Sequence, residues 1–217
     1  GSEMCIRDRF SLTRAVELQE KQGATVTILT VGDASVEPVM RKALAIGAND
    51  GIRIDADAKD DFFVATQIAK AAKEGGYDLI LTGKESIDYN GGAVPGLVAG
   101  MLDYGFVNGC IGLEVEGTTA KVVREIDGGK EKASVALPAV IAGQKGMVEE
   151  SALRIPNMRG IMQARSKQIT VVAAEPTETK VTVVGYEKPA SRGTVTLVDK
   201  DNVAELVRLL HEEAKVI

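Results

Sequence analysis

Three times in the first hundred residues a short apolar or β-branched run gives way to a helical stripe, and no other feature constrains the fold as strongly. Residues 24–31, ATVTILTV, suit a buried strand. Gly32 and Asp33 turn it, Ser35 is a candidate cap, and Val36, Val39, Met40, Ala43 and Leu44 form a stripe that stops at Gly47. Residues 52–54 form a second, short strand. Asp60 or Asp61 opens a helix with Val64, Ile68, Ala71 and Ala72 inward and Gly75-Gly76 as its stop. Residues 77–82 make the third strand. Behind Pro95, which suits a first helical turn, Val94, Leu97, Val98, Met101 and Leu102 fall on one face. An earlier helix runs from Ser11, a plausible N-cap, through Leu12, Ala15, Val16 and Gln19 to Gly23. Strands alternating with helices predict an α/β fold: a mostly parallel sheet with helices on both faces and right-handed crossovers.

In such sheets ligands sit beyond the carboxyl ends of the strands. Here these are the turn after Val31 and the loop 83–94, GKESIDYNGGAV, which are expected to be neighbours. A strand feeding a glycine-bearing loop and then a helix amino terminus offers bare N–H groups and a partial positive charge to an anion. The same segment also suits a purely structural turn. Standard phosphate motifs do not fit: Asp78 and Glu85 stand where a nucleoside triphosphatase loop needs Gly and Ser or Thr. Gly91, Gly92 and Gly96 lack the dinucleotide spacing.

Composition narrows the chemistry. A net charge of -5 without a basic run argues against nucleic acid. No apolar stretch reaches the roughly 18 residues of a membrane span and no secretory signal is present, so the chain reads as cytoplasmic without membrane insertion. His211 is the only histidine, which leaves little material for imidazole chemistry or His-ligated metal. Cys5 and Cys110 are expected to be free thiols, Cys110 as packing.

After Tyr104 the rhythm changes. Short runs at 111–115, 121–126 and 132–136, separated by Gly117-Thr118 and Asp127-Gly128-Gly129, predict a hairpin insertion, and 138–142 returns to a buried strand. Residues 143–157 lack periodicity, and their apolar Met147, Val148, Leu153 and Ile155, flanked by Glu149, Glu150 and Arg154, suit an exposed anchor with a polar rim. A short helix at 158–165 and a strand at 169–172 follow. The main domain is expected over 10–175, after a non-native or disordered leader, GSEMCIRDR, at 1–9. The arm 176–217 alternates in KVTVVGYEKP and GTVTLV and closes with a helix bearing Val203, Leu206, Val207 and Leu210. Its apolar surface suits packing on another chain.

The stretch VVREIDGGKEKASVALPAVIA resembles the signature of the electron transfer flavoprotein β subunit, carried here by Arg124, Asp127, Gly128, Gly129, Glu131, Pro138, Val140 and Ile141. Ala133 departs from the branched aliphatic residue usual in the family, a change of packing. The resemblance continues through TVGDASVEPVMRKALAIGAND, the GKESID loop and RIPN, and covers nearly everything after Phe10.

The resemblance implies an electron-carrier subunit without substrate chemistry of its own. Such a subunit pairs with an α subunit that holds most of the FAD, buries an AMP, and docks acyl-CoA and related dehydrogenases in fatty acid oxidation, with a quinone-linked oxidoreductase as acceptor. Nucleotide contacts would fall on Val31 and on Gly83, Lys84, Glu85, Ser86, Ile87, Asp88, Tyr89, Asn90, Gly91, Gly92, Ala93 and Val94. Gly92 is expected to permit a tight backbone approach. Partner contacts would fall on Glu125, facing an arginine of the α subunit, and on Leu153, Arg154, Ile155, Pro156 and Asn157 of a recognition loop anchored by Ile155.

Family chains begin with a further strand and loop, not recognisable here, so the natural protein is expected to be longer and this chain to lack a central strand. Three other readings stay open. Some relatives bind a second FAD in the AMP place and bifurcate electrons. A hydrolase-type α/β enzyme on adenine nucleotides would carry a Ser-Gly-Gly-rich loop, absent from the residues present. A stress-type nucleotide-binding domain leaves the hairpin and the 143–157 segment unexplained.

Overall fold

Gly23, with φ at +73°, is the first backbone breaker among the described residues, and a single helix leads up to it. In the computed structural model, which describes residues 6–86, 90–191 and 193–217, α1 runs Ile6–Gln22 and so takes in part of the leader. Ser11 is therefore inside the helix rather than its cap. Its buried hydroxyl donates to the Thr82 carbonyl at 2.6 Å.

The alternation holds through β1 (Thr27–Val31), α2 (Glu37–Ile46), β2 (Asp50–Asp55), α3 (Asp61–Gly75), β3 (Leu79–Gly83) and α4 (Val94–Leu102). Asp60 caps α3 by accepting the Phe63 N–H, and Gly76, left-handed, ends it. At α2 the cap differs from expectation: the Asp33 carboxylate accepts the Ser35 N–H and anchors a 3-10 turn ahead of the helix. Those hydrogen bonds to Ser35 hold the Asp33 carboxyl below the usual carboxylate range.

The second half builds β4 (Gly105–Glu116), β5 (Thr119–Ile126), β6 (Gly129–Ala136), β7 (Ala139–Gly143), α5 (Met158–Ala164) and β8 (Ile169–Ala173). Both predicted hairpins form, turning at Gly117 and Gly128 with φ of +59° and +83°. Strand β4 starts earlier than its sequence pattern suggests. Its first part pairs parallel with β7 and its second part antiparallel with β5, the register breaking near Gly109, where φ is +66°. Arg124 and Glu131 of the signature are opposite each other on β5 and β6 and form an ion pair.

The strands make two sheets rather than one. One is parallel, in the order β1-β2-β8; the other is mixed, β3-β7-β4-β5-β6. Strand β7 is buried over its whole length, sending Ile141 into a cluster with Phe10, Leu113 and Met147, and Val140 into another with Val98 and Ala65. By contrast, β1 and β3 are only half-buried throughout, because each is a sheet edge. Cys110 is fully buried, its Sγ donating to the Gly112 carbonyl, and burial pushes its thiol up, which makes it an inert packing group. Cys5 lies outside the described residues.

The first compact unit runs to residue 182, beyond the boundary read from sequence. The cause is a strap: buried Gln67 bonds the backbone of Glu175 in both directions and the Thr177 hydroxyl, while Asp60 accepts the Lys180 and Val181 N–H groups. The second unit, 183–217, holds α6 (Val203–Arg208), continued by a π-helical turn at Leu209–Glu213. Neither alternating run of the arm forms a strand among the described residues, since an isolated extended segment has no ladder partner. Among the described residues no helix is long and apolar enough to cross a membrane.

Candidate functional site

Strands β1 and β3 turn their free edges toward one cavity of about 750 Å³ that runs along both. Helices α1, α2 and α3 line it with Leu12, Met40 and Val64 among others, and its mouth lies at the carboxyl ends of the two strands. Its volume lies within the ~300–1,000 Å³ range of small-molecule sites.

The mouth brings together much of the predicted nucleotide set. Val31, Gly83, Glu85, Ser86, Gly91 and Val94 all line it, so the two strand-end loops are neighbours as expected. Lys84 is held at its backbone, where its N–H donates to the Gly143 carbonyl at 2.8 Å. The Ser86 N–H donates to the Gly91 carbonyl and closes the loop on itself. Ile87, Asp88 and Tyr89 lie outside the described residues. Ala93 precedes α4 without a side-chain cap, which leaves the first N–H groups of that nine-residue helix to other acceptors.

Gly92 differs from expectation. Its φ is not in the left-handed region, and a Cβ there would meet the Lys84 carbonyl oxygen at 3.4 Å and the Glu85 Cβ at 3.8 Å, both ordinary contacts. The strained residue is Asn90, at φ +56°, a conformation that Asn tolerates better than most side chains. A β-branched residue at 92 therefore meets no backbone strain.

Sequence reasoning set Asp8 aside, yet it lines the cavity beside the end of β3. Its carboxylate accepts the Gly83 N–H at 2.9 Å, so an anionic oxygen already occupies one of the amides offered to a phosphate. The signal was a polar residue one helical turn ahead of Ser11, and both face the end of β3. Asp8 is exposed as a residue, but its carboxyl lines the cavity, and desolvation there raises it above the ordinary value, which the Gly83 hydrogen bond opposes only in part. A raised folded-state value means that stability is fully present below the unfolded value of about 3.9 and is lost as pH rises through the folded one. Asp8→Asn keeps an acceptor for Gly83 and removes the charge. Its melting temperature is expected to exceed that of the parent at pH 7, with the gap closing below about pH 4; a constant gap across that range would refute the assignment.

The predicted docking segment divides. Met147 and Val148 are buried in the core, contrary to an exposed anchor, because residues 143–148 turn back over α1, where the Arg14 guanidinium reaches the Met147 carbonyl. Leu153 is half-buried against the same cluster. Ile155 is 74% exposed. Arg154 pairs with Glu20 at 2.5 Å, Pro156 is half-buried, and Asn157 caps α5 by accepting the Gly160 N–H. Glu125, exposed near the end of β5, accepts a hydrogen bond from the Gln144 side chain.

The profile of the electron transfer flavoprotein domain matches residues 6–177. The chain belongs to the electron transfer flavoprotein β-subunit family. It is 31% identical to an electron transfer flavoprotein subunit beta of Bacillus subtilis, across all of this chain and 90% of that protein. A protein of the same name from Syntrophomonas wolfei is 34% identical over 85% of this chain and 73% of its own length, and one from Sus scrofa 32% over 95% and 83%. The β-hairpin and β7 that carry the flavoprotein signature, and the loop after β3, all fall inside the matched region.

Proposed function

We propose that this chain is the β subunit of a heterodimeric, cytoplasmic electron transfer flavoprotein. It would accept electrons from acyl-CoA and related dehydrogenases through FAD held mainly by an α subunit, and pass them to a quinone-linked acceptor. A structural AMP would occupy the mouth of the cavity. The observation that carries this reading is the cavity itself, into which the ends of β1 and β3 and the amino terminus of α4 converge.

The residues present fit an adenylate. Apolar walls suit a base, and the Thr82 and Ser86 hydroxyls are buried without a hydrogen-bond partner among the described residues. A buried unpaired hydroxyl is costly until a ligand or water meets it. The uncapped start of α4 suits a phosphate without a basic motif. When bound, FAD supplies the one-electron chemistry; this chain contributes walls, hydroxyls and docking surface. The second unit exposes Val184, Tyr186 and Leu197 almost fully, which supports an arm that packs on the α subunit.

Co-purification with the α subunit tests the reading. The pair is expected to show a flavin spectrum and to release one AMP per heterodimer on denaturation, whereas the isolated chain stays colourless. Flavin colour in the isolated chain, or a pair without nucleotide, would overturn it; release of two FAD per pair would favour the bifurcating alternative.

Docking rests on Ile155. Burying such a side chain is worth roughly 1.5–3 kcal/mol, so Ile155→Ala is expected to weaken the complex with an acyl-CoA dehydrogenase about tenfold or more, without change in flavin content. Its exposure makes a loss of melting temperature unlooked for, and affinity unchanged in a titration would sink the proposal.

A further inference from the structure

After β8 the chain runs through residues 174–181 with neither strand nor helix, yet its backbone is not left to solvent. Side chains of α3 take the place of a partner strand. Gln67, 2% exposed, accepts the Glu175 N–H at 2.8 Å and donates to the Glu175 carbonyl and the Thr177 hydroxyl, both at 3.1 Å. Its carbonyl oxygen and its amide nitrogen are both used, and all three bonds go to this one segment. About two helical turns away, at the start of α3, the Asp60 carboxylate holds the other end. Its Oδ1 caps the helix by accepting the Phe63 N–H, and its Oδ2 accepts the N–H groups of Lys180 and Val181.

Both attachments are made by single side chains of one helix, and neither belongs to a ladder that runs into the core. No residue from 174 to 181 is buried, so lifting the segment uncovers little apolar surface. A stretch held in this way opens well below the free energy of global unfolding. The two ends are coupled as well. With either attachment gone, the other has to order the same backbone alone, against its full conformational entropy.

We propose that residues 174–181 form a latch on α3, held by Gln67 and clasped by Asp60, which opens and closes as one unit. Closed, it ties the chain to α3 as far as Val181, just short of the second unit, which starts at Val183. Open, it adds about 25–30 Å of reach to the tether of that unit, at ~3.3–3.6 Å per extended residue. The chain thereby keeps a reserve of length that is released without breaking a strand or helix, because Oδ1 of Asp60 still caps α3. The latch is independent of whether the cavity takes a nucleotide.

Hydrogen exchange and limited trypsin digestion of the full chain test it. In the parent, the Glu175, Lys180 and Val181 amides are expected to exchange at least about tenfold slower than in a free peptide of the same sequence. Gln67→Met removes every bond at one end while filling a similar space. Asp60→Ser keeps an oxygen for the Phe63 N–H and gives up the one that holds Lys180 and Val181. In each variant all three amides are expected to exchange about tenfold faster than in the parent. Cleavage after Lys180, whose side chain is 54% exposed and so within reach of a protease, should speed up by a similar factor. Cleavage after Lys200 and exchange at Ile141 in β7 should not change. Loss of protection confined to the amides beside the altered side chain would overturn the latch and leave two separate contacts. Parent amides that exchange like the free peptide, or variants that behave like the parent, would overturn it as well. Acceleration at Ile141 by the same factor would do so too, since these bonds would then be part of the core.

Discussion

Replacing Ile141 by alanine is expected to cost about 2–5 kcal/mol, the range for removing a large aliphatic side chain from a packed core. Ile141 is completely buried in the middle of β7, paired through its backbone with Leu81 on one side and Val107 on the other. Its side chain packs in the cluster of Phe10, Leu113 and Met147, which joins α1, the hairpin sheet and the 143–148 turn. A strand hydrogen-bonded on both sides cannot shift to close the hole, so the cavity term persists. For a chain of this size each kcal/mol lowers the melting temperature by about 2–4 °C, giving a drop on the order of 4–20 °C. Val171→Ala, on the sheet-edge strand β8 where the residue is half exposed, should cost under about 0.5 kcal/mol. Equal losses for the two variants, read by thermal melts, would show that β7 is not the centre of the sheet.

The second large effect is expected at Gly160. A Cβ added there would lie 2.2 Å from the Ala45 carbonyl oxygen and 3.2 Å from its carbon, atoms of the α2 backbone that cannot rotate away. Gly160→Ala therefore forces α5 off α2 despite the better helix propensity of alanine. Overpacking of this kind typically costs 1–3 kcal/mol, or roughly 2–12 °C. Displacing α5 would also strain the Arg41 bonds to the Ala164 and Lys167 carbonyls and shift the segment that carries Ile155, so under the proposed docking, affinity for a dehydrogenase should fall with stability. Gln163→Ala, exposed on the same helix, serves as the control and should change neither. A Gly160→Ala protein with parent stability would mean that the two helices are not packed this closely.

The candidate site shows how local and non-local information divide. The loop after β3 was readable because it depends on neighbours in sequence: a β-branched run, a glycine, then a helical stripe behind a proline. That the turn after Val31 meets it follows from the parallel crossover rule. Strain in the loop was misplaced, since Gly92 looked like the permissive residue whereas the left-handed position is Asn90. Spacing does not reveal φ when Asn and Gly stand side by side.

Other differences have one physical source, the choice of what covers what. Met147 and Val148 carry no period, and only the fold determined that they turn inward over α1 while Ile155, seven residues on, stays outside. Asp8 lies in a segment with neither strand nor helix periodicity, and it reaches the Gly83 amide because α1 runs beside β3. The amino-acid sequence by itself determined the alternation of elements, the two hairpin turns, the strand-end loop and the family, all of which depend on short-range periodicity, glycine and proline geometry or a contiguous signature. Tertiary structure alone decided that the strands split into two sheets with a shared cavity, that a carboxylate sits at its mouth, and that α5 is pinned against Ala45 with its methionines outward. Those outcomes depend on which distant backbone groups find hydrogen-bond partners and which apolar faces find cover, and neither is written in the spacing of residues along the chain.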